Sequence, residues 1–305
     1  MYSRRDLLKG VLVGVGAPLL NAYAFTRSSD LAPGVHTASF RDLQLAPGSD
    51  PIDGLIEALV ACGVQYCELY APHVEARFMA SHRHHTMSSM ARQMVRREQR
   101  KWRLRTPAAY FRAIGRKFEK HGIAIAAFNV SPDASFTDEE IDAAFSTAKA
   151  LGAETITAST TLDVAARMAP IAERHRTIVA LHGGSRIDDA DAIGSPESFA
   201  AALRMSRYFK VSLDVGNFTA ANLDSLDYLR AHHRDVANLR LKDRRKNQGE
   251  DLPWGAGDTP IRDVLKLVKD EMWRIRGYVD CEYGGAANSI DEVKKCLAYA
   301  AETAL

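Results

Sequence analysis

Cysteine is scarce in this chain: there are four among 305 residues, and no two have C-x-x-C spacing. A zinc knuckle or a disulfide framework is thereby excluded, and Cys62, Cys67, Cys281 and Cys296 are expected to be core thiols. Cys62 and Cys67 flank one helix-to-strand turn, which leaves a bridge open at that place. No G-x-G-x-x-G loop follows an early strand, and nothing resembles a nucleophile elbow or a Walker loop. Dinucleotide binding, elbow-type hydrolysis and phosphoryl transfer therefore lack their usual local signals. A dominant charge is lacking too, because 40 basic and 38 acidic residues leave a formal charge of +2. That balance is too near neutral to argue by itself for nucleic acid as a partner.

What is present suits one sizeable globular domain. Hydrophobic residues make up 46% of the chain and charged residues 26%, enough apolar content to bury a large core. The opening "SRRDLLKGVLVGVGAPLLNAYA" joins the pair Arg4 and Arg5 to a moderately apolar stretch and an Ala22-Tyr23-Ala24 cleavage pattern. This predicts a twin-arginine export signal over residues 1–24, a linker over 25–33, and a periplasmic or otherwise exported protein. The stretch is too short for a stable span, so no membrane span is expected after cleavage. The alternative is a cytoplasmic protein with a frayed N-terminal helix.

From residue 34 onward, short β-rich runs alternate with helical ones. Strands are expected at 35–40, 65–70, 123–129, 154–159, 177–182, 210–214, 236–241 and 277–282. Helices are expected near 52–62, 107–121, 137–151, 161–175, 196–207, 223–233, 260–273 and 289–303. Several open on cap signals: Asp50-Pro51, Thr137 with Glu139 and Glu140, Ser195-Pro196-Glu197, and Thr259-Pro260. Eight βα repeats predict an α/β fold, a single (β/α)8 TIM barrel over 34–305, with a doubly wound open sheet as the alternative. One stretch breaks the rhythm. Residues 77–107 are basic and rich in Met and His, including His82, His84 and His85. They read as an insertion after the second strand: a solvated basic helix, a lid over an anionic substrate, or a partner-binding arm.

In such a barrel, chemistry collects at the C-terminal strand ends. The residues there are His36 and Phe40, Glu68, Asn129, Thr157 and Ser159, His182, Asp214 with Asn217, Arg240 with Lys242 and Asp243, and Glu282. Burying so many polar groups without partners would be costly, so they are expected to face a shared polar pocket. Lys242 and Asp243 are expected to pair with each other, with Lys242 also within reach of a substrate oxygen.

The stretches "VALHGGSRIDDADAIGSPESFAAAL", "VSLDVGNFTAANLDSL", "NLRLKDRRKNQGEDLPWGAGDTPI" and "GYVDCEY", in this order, resemble the sugar phosphate isomerase/epimerase group of xylose isomerase-like TIM barrels. The resemblance covers roughly 34–303. It implies proton removal from a carbon beside a carbonyl, with a divalent metal held at the positions of His182, Asp214, Arg240 and Glu282. Arg240 departs from the pattern, which has a histidine there, and a guanidinium does not lose its proton to bind a metal. Gly184, Asn217 and Ala256 depart as well.

Three outcomes fit these departures. A weaker metal site for Mn, Zn, Co or Fe could survive on His182, Asp214 and Glu282. Arg240 could instead supply the positive charge while Glu282 or His182 moves the proton. In the third case catalysis is lost and the pocket only binds a sugar. The implied catalytic residues are Glu282, His182 and Arg240, and the implied substrate contacts are His36, Glu68, Asn129, Asn217, Lys242, Asp243 and Trp254. The leading expectation is a sugar isomerase or epimerase, or a related lyase, acting on a carbohydrate or an oxidised sugar. A non-catalytic carbohydrate-binding barrel is the alternative, and an apurinic-site endonuclease-like protein ranks lower. A small sugar is the expected partner, nucleic acid is not, and self-association is left open.

Overall fold

The computed structural model describes residues 32–45, 48–76, 78, 88–283 and 288–303. The signal expected over 1–24, most of the linker over 25–33, and His82, His84 and His85 lie outside the described residues.

Eight parallel strands close into a barrel. They are β1 (Gly34–His36), β2 (Tyr66–Tyr70), β3 (Ala124–Asn129), β4 (Thr155–Ser159), β5 (Ile178–His182), β6 (Phe209–Asp214), β7 (Val236–Leu241) and β10 (Arg276–Val279). A short antiparallel ribbon, β8 (Asp243–Arg244) with β9 (Asp251–Leu252), stands between the last two. Both faces of a barrel strand are covered, so the strands are runs of small and branched apolar residues such as Ile178 to Leu181. Around them lie α1 (Pro51–Ala61), α2 (Ala71–Val74), α3 (Ser89–Arg105), α4 (Ala108–Lys120), α5 (Asp138–Leu151), α6 (Leu162–His175), α7 (Pro196–Leu203), α8 (Val215–Ala220), α9 (Ser225–His232), α10 (Ile261–Asp270) and α11 (Ser289–Thr303). The barrel is thus the fold the alternation predicted. Among the described residues, no helix is long and apolar enough to cross a membrane.

Two strands stop short of their expected ends, and in each case a side chain takes over from the ladder. After β1 the chain turns into a 3-10 helix, Thr37–Phe40, and the Thr37 hydroxyl accepts from the Tyr70 amide at 2.8 Å. β10 ends at Val279, and the Cys281 amide donates to the Ser39 hydroxyl at 3.0 Å. Both exits lie at the barrel mouth, where they free Arg41 and Glu282 from the strands. The caps follow the sequence in three places. Asp50 accepts from the Ile52 amide at 2.9 Å, Thr137 and Glu140 form a capping box, and Ser195 forms one with Ser198 rather than with Glu197. The Thr259-Pro260 signal differs: α10 has no side-chain cap, and the Thr259 hydroxyl accepts from the Arg244 amide at 3.0 Å instead.

The basic segment has its own surprise. Helix α3 turns three of its arginines toward the barrel. Arg96 and Arg100 donate to the buried Glu140 carboxylate over 2.6–2.9 Å, while Arg103 makes a two-pronged pair with Glu75 at 2.6 and 2.9 Å. Arg96 and Arg103 also lie over the Phe136 ring, each 4.6 Å from its centroid. Burial works to raise the Glu140 carboxyl, but hydrogen bonds from Arg96 and Arg100 override it and hold the group down at about 2. These charges clasp the helix to the wall of the barrel.

The cysteines are all free thiols. The sulfur atoms that approach each other are those of Cys281 and Cys296, at 3.4 Å, rather than the Cys62 and Cys67 pair that the spacing suggested.

Candidate active site

Arg240 lies near the C-terminal end of β7, in register with Asp214 on β6 and with Tyr278 on β10. Its guanidinium reaches across the mouth to Glu68 on β2, with Nε at 3.1 Å and Nη2 at 3.0 Å from the two carboxylate oxygens. Nη2 also donates to His36 Nε2 at 3.2 Å. Arginine has no acceptor, so the ring proton of His36 resides on Nδ1 and is donated to Asp280 Oδ1 at 3.2 Å. Asp280 Oδ2 faces Arg240 Nη1 at 3.7 Å. Asp214 and Glu282 pair instead with the next cation along the chain.

That cation is Lys242. Its ammonium stands 2.9 Å from Glu282 Oε2, 3.2 Å from Asp214 Oδ2 and 3.9 Å from Asp280 Oδ2. Asp243 turns away from it and accepts from the amides of Gly255, Gly257 and Thr259 at 2.8–3.1 Å. The expected pairing of Lys242 with Asp243 therefore does not form. Asp243 pins the loop after β9, as suits a side chain alternating to the other face of an extended chain. Trp254, in that loop, packs edge-on against Tyr299 at 5.9 Å and does not line the mouth.

His182, at the end of β5, has both nitrogens engaged. Nε2 donates to Asp214 Oδ2 at 2.9 Å, and Nδ1 accepts from the Ser159 hydroxyl at 2.8 Å. Asp214 Oδ1 meanwhile caps α8, accepting from the Asn217 amide at 2.7 Å. Asn217 donates to the Gly183 carbonyl at 2.9 Å and accepts from Arg244 at 2.8 Å, while Asn129 donates to the Thr157 carbonyl at 3.2 Å. Both asparagines border the cavity.

Burial alone would disfavour charge on every one of these groups, and the mutual pairing reverses it for the four carboxylates and for Lys242. For Glu68, burial pushes the carboxyl up, but Arg240 holds it below the usual range. For Asp214 the same contest is won by Lys242 and His182, and for Asp280 by His36, Lys242 and Arg240. Glu282 is pushed up by neighbouring Asp280 and by burial, yet Lys242 keeps it below its ordinary value. Lys242 is opposed by burial and carried well above its own range by Asp214, Asp280 and Glu282. Burial and the nearby Arg240 depress His182 more than Asp214 raises it, so the ring is neutral at pH 7.

Exposure separates the members. The Glu68, Asp214 and Asp280 side chains are sealed, whereas that of Glu282 is 33% exposed. Glu282 also accepts from Arg41 at 3.0 Å. It opens on a cavity of about 900 Å³ bordered by Arg41, Tyr70, Asn129, Ser159, His182 and Lys242 among others, a volume suited to a small ligand. A second depression of about 750 Å³ lies on the flank, between the Arg103–Phe111 segment and the Arg167–Arg174 face of α6. It is walled by helices and holds none of the strand-end groups.

Nearly all of the strand-end residues are thus brought together, and Asp243 and Trp254 stand apart. Glu68 is beneath the site, behind Arg240, rather than on the cavity wall. Two members escaped the sequence reading. Asp280 was legible as the residue two before Glu282, on the face shared with Tyr278 by period-two alternation. Arg41 carried no such signal, because a strand was expected through residue 40.

No protein-family model matches the chain, and no curated protein matches it. Solved structures do. A xylose isomerase domain protein from Planctomyces limnophilus aligns with a TM-score of 0.58 at 16% identity, over 81% of this chain and 89% of its own. A sugar phosphate isomerase/epimerase from Parabacteroides distasonis ATCC 8503 aligns at 0.59 and 15%, over 88% and 94%. The 3-keto-D-glucoside 4-epimerase YcjR from E. coli, in its apo form, aligns at 0.61 and 10%, over 88% and 98%. The fold is therefore that of the xylose isomerase-like TIM barrels, and at such identities the likeness extends to the fold alone.

Proposed function

We propose that this chain is a sugar isomerase or epimerase, or a closely related lyase, that removes a proton from a carbon beside the carbonyl of a carbohydrate or oxidised sugar. The observation that carries this reading is the environment of Glu282, the one carboxylate of the cluster that opens on the cavity. It is held ionised between Lys242 at 2.9 Å and Arg41 at 3.0 Å, which is the state a proton acceptor needs. As Glu282 takes the proton, the electron pair of the broken C–H bond moves onto the carbonyl oxygen. The Lys242 ammonium and the Arg41 guanidinium offer positive charge to that oxygen, preorganised before the substrate arrives. Glu282, once protonated, can then return the proton to the substrate, while neutral His182 holds Asp214 beside Lys242. Arg240, clamped between Glu68 and Asp280, fixes the Asp280 carboxylate beneath Lys242. In this reading Arg240 acts through Asp280, in place of the direct contact with substrate that the sequence also allowed.

The likeness to epimerase folds supports the reading without establishing it. A second reading has its own observation. Every cation of the cluster is already paired, which suits a barrel that only binds sugars. The test is proton NMR in D2O with ketohexoses, hexuronic acids and a 3-keto-glucoside. The proposal predicts deuterium entering the carbon beside the carbonyl, lost in Glu282→Gln. Saturable binding with no exchange on any of these sugars would favour the binding barrel. The proposed setting is outside the cytoplasm after twin-arginine export, which cell fractionation checks: full-length chain retained in the cytoplasm would contradict it.

A further inference from the structure

His182, Asp214 and Glu282 are the residues that would hold a divalent ion here, and the atoms present test whether they fit one. Such an ion lies about 2.0–2.2 Å from carboxylate oxygens. Asp214 Oδ2 and Glu282 Oε2 converge instead on the Lys242 ammonium, at 3.2 and 2.9 Å, with Asp280 Oδ2 behind it at 3.9 Å. His182 Nε2 donates to Asp214 and presents no lone pair to an ion. Among the described residues, no group of three or more His, Cys, Asp or Glu is placed to hold a metal. The donor set as folded does not fit a divalent ion.

We propose that Lys242 is the resident cation of this barrel, its ammonium holding the point between Asp214, Asp280 and Glu282 that a divalent ion would need. The consequence for chemistry rests on the proposed function above, whereas the claim about occupancy stands apart from it.

Three further observations support the assignment. The lysine stem is steered by its surroundings: at Gly216, in the first turn of α8, an added methyl would come within 2.6 Å of Lys242 Cγ and 2.7 Å of its carbonyl oxygen. Only glycine lets α8 and the Lys242 segment approach this closely. The fourth position implied by the family resemblance belongs to Arg240, which is committed to Glu68 through two hydrogen bonds. Charge agrees as well. Glu68, Asp214, Asp280 and Glu282 face Arg41, Arg240 and Lys242, four negative groups against three positive. A divalent ion added to this set would reverse its sign and leave cation beside cation in a site with little water, which is costly. Asp280 Oδ2, the buried oxygen of the cluster without a hydrogen-bond donor, faces Arg240 and Lys242 rather than a third ligand.

The experiment has two parts. Elemental analysis is made on the full chain, expressed with supplementary Mn, Zn, Co and Fe and purified without chelator or affinity metal. Calorimetric titration with Mn²⁺ is then made on the parent, Lys242→Met, and Lys242→Met with Arg240→His. The proposal predicts less than about 0.1 ion per parent chain, and Mn²⁺ affinity at least about tenfold tighter in the double variant than in the parent. Near-stoichiometric metal in the parent, or parent affinity equal to that of the double variant, would overturn it. Should the variants fail to fold, as circular dichroism would report, the parent's metal content alone decides. A metal-free parent without deuterium exchange would leave Lys242 as the resident cation and remove the proposed reaction, so the two can fail separately.

Discussion

Two buried charge clusters in this barrel are built from the same residue types and do opposite work. At the wall, Glu140 is surrounded by Arg96, Arg100 and Arg103, and Arg103 shares Glu75. At the mouth, Arg240 and Lys242 are surrounded by Glu68, Asp214, Asp280 and Glu282. The wall cluster buries its acid and leaves its bases partly wet, with the arginine side chains 14–37% exposed. The mouth cluster buries Arg240 and Lys242 and leaves one acid, Glu282, facing a cavity beside the partly exposed Arg41. A sealed acid under half-hydrated arginines has little to offer a ligand and serves to hold a helix. In the proposed reaction, the half-open carboxylate backed by the buried Lys242 is the group that exchanges a proton.

Breaking the two clusters should cost different amounts. The largest stability effect is expected from Arg240→Met, which leaves Glu68 and Asp280 short of a partner in the dry interior. Urea denaturation should register about 3–5 kcal/mol, part of it recovered when Glu68→Leu is added. Glu140→Leu should cost less, about 2 kcal/mol, because the orphaned arginines can turn to water. If the two losses were equal, the distinction between dry bases and wet ones would fail.

Acid sharpens the same contrast. Glu140 is held at about 2 in the fold against an ordinary value of 4.5, so the unfolded chain binds the proton first. Its contribution is full above about 4.5 and drains away as the pH falls toward about 2. Glu140→Gln should therefore flatten that stretch of the stability profile, and an unchanged slope would remove Glu140 from the account. A smaller effect is expected at Gly216→Ala, where crowding of Lys242 should cost about 1–2 kcal/mol. Turnover should fall with it if Lys242 is the working cation, and unaltered turnover would detach Lys242 from the chemistry.

Much of this was legible beforehand, and the misses share a cause. Eight strands could be placed because each is a short apolar run between turn signals, and the strand-end polar groups followed from the barrel rule. Lys242 and Asp243 were read as a local pair because adjacent charges look complementary, although neighbours on an extended chain point to opposite faces. Arg41 was hidden by the 3-10 turn at Thr37–Phe40, which no alternation announces. The clasp was invisible for a different reason. Arg96 and Glu140 stand 44 positions apart, and one sequence holds no record of which distant charges meet, so the basic run over 77–107 read as a solvated face, a lid or a partner-binding arm.

The most direct test of the contrast is the solvent-exchange rate of a responsive carbonyl sugar in D2O, measured for Glu282→Gln and Glu140→Gln side by side where both are folded. The account predicts a loss of at least about a hundredfold for Glu282→Gln. Glu140→Gln should stay within about twofold of the parent per folded molecule, since it lies outside the proton-transfer path. Equal rates in the two variants would contradict the assignment of chemistry to the mouth.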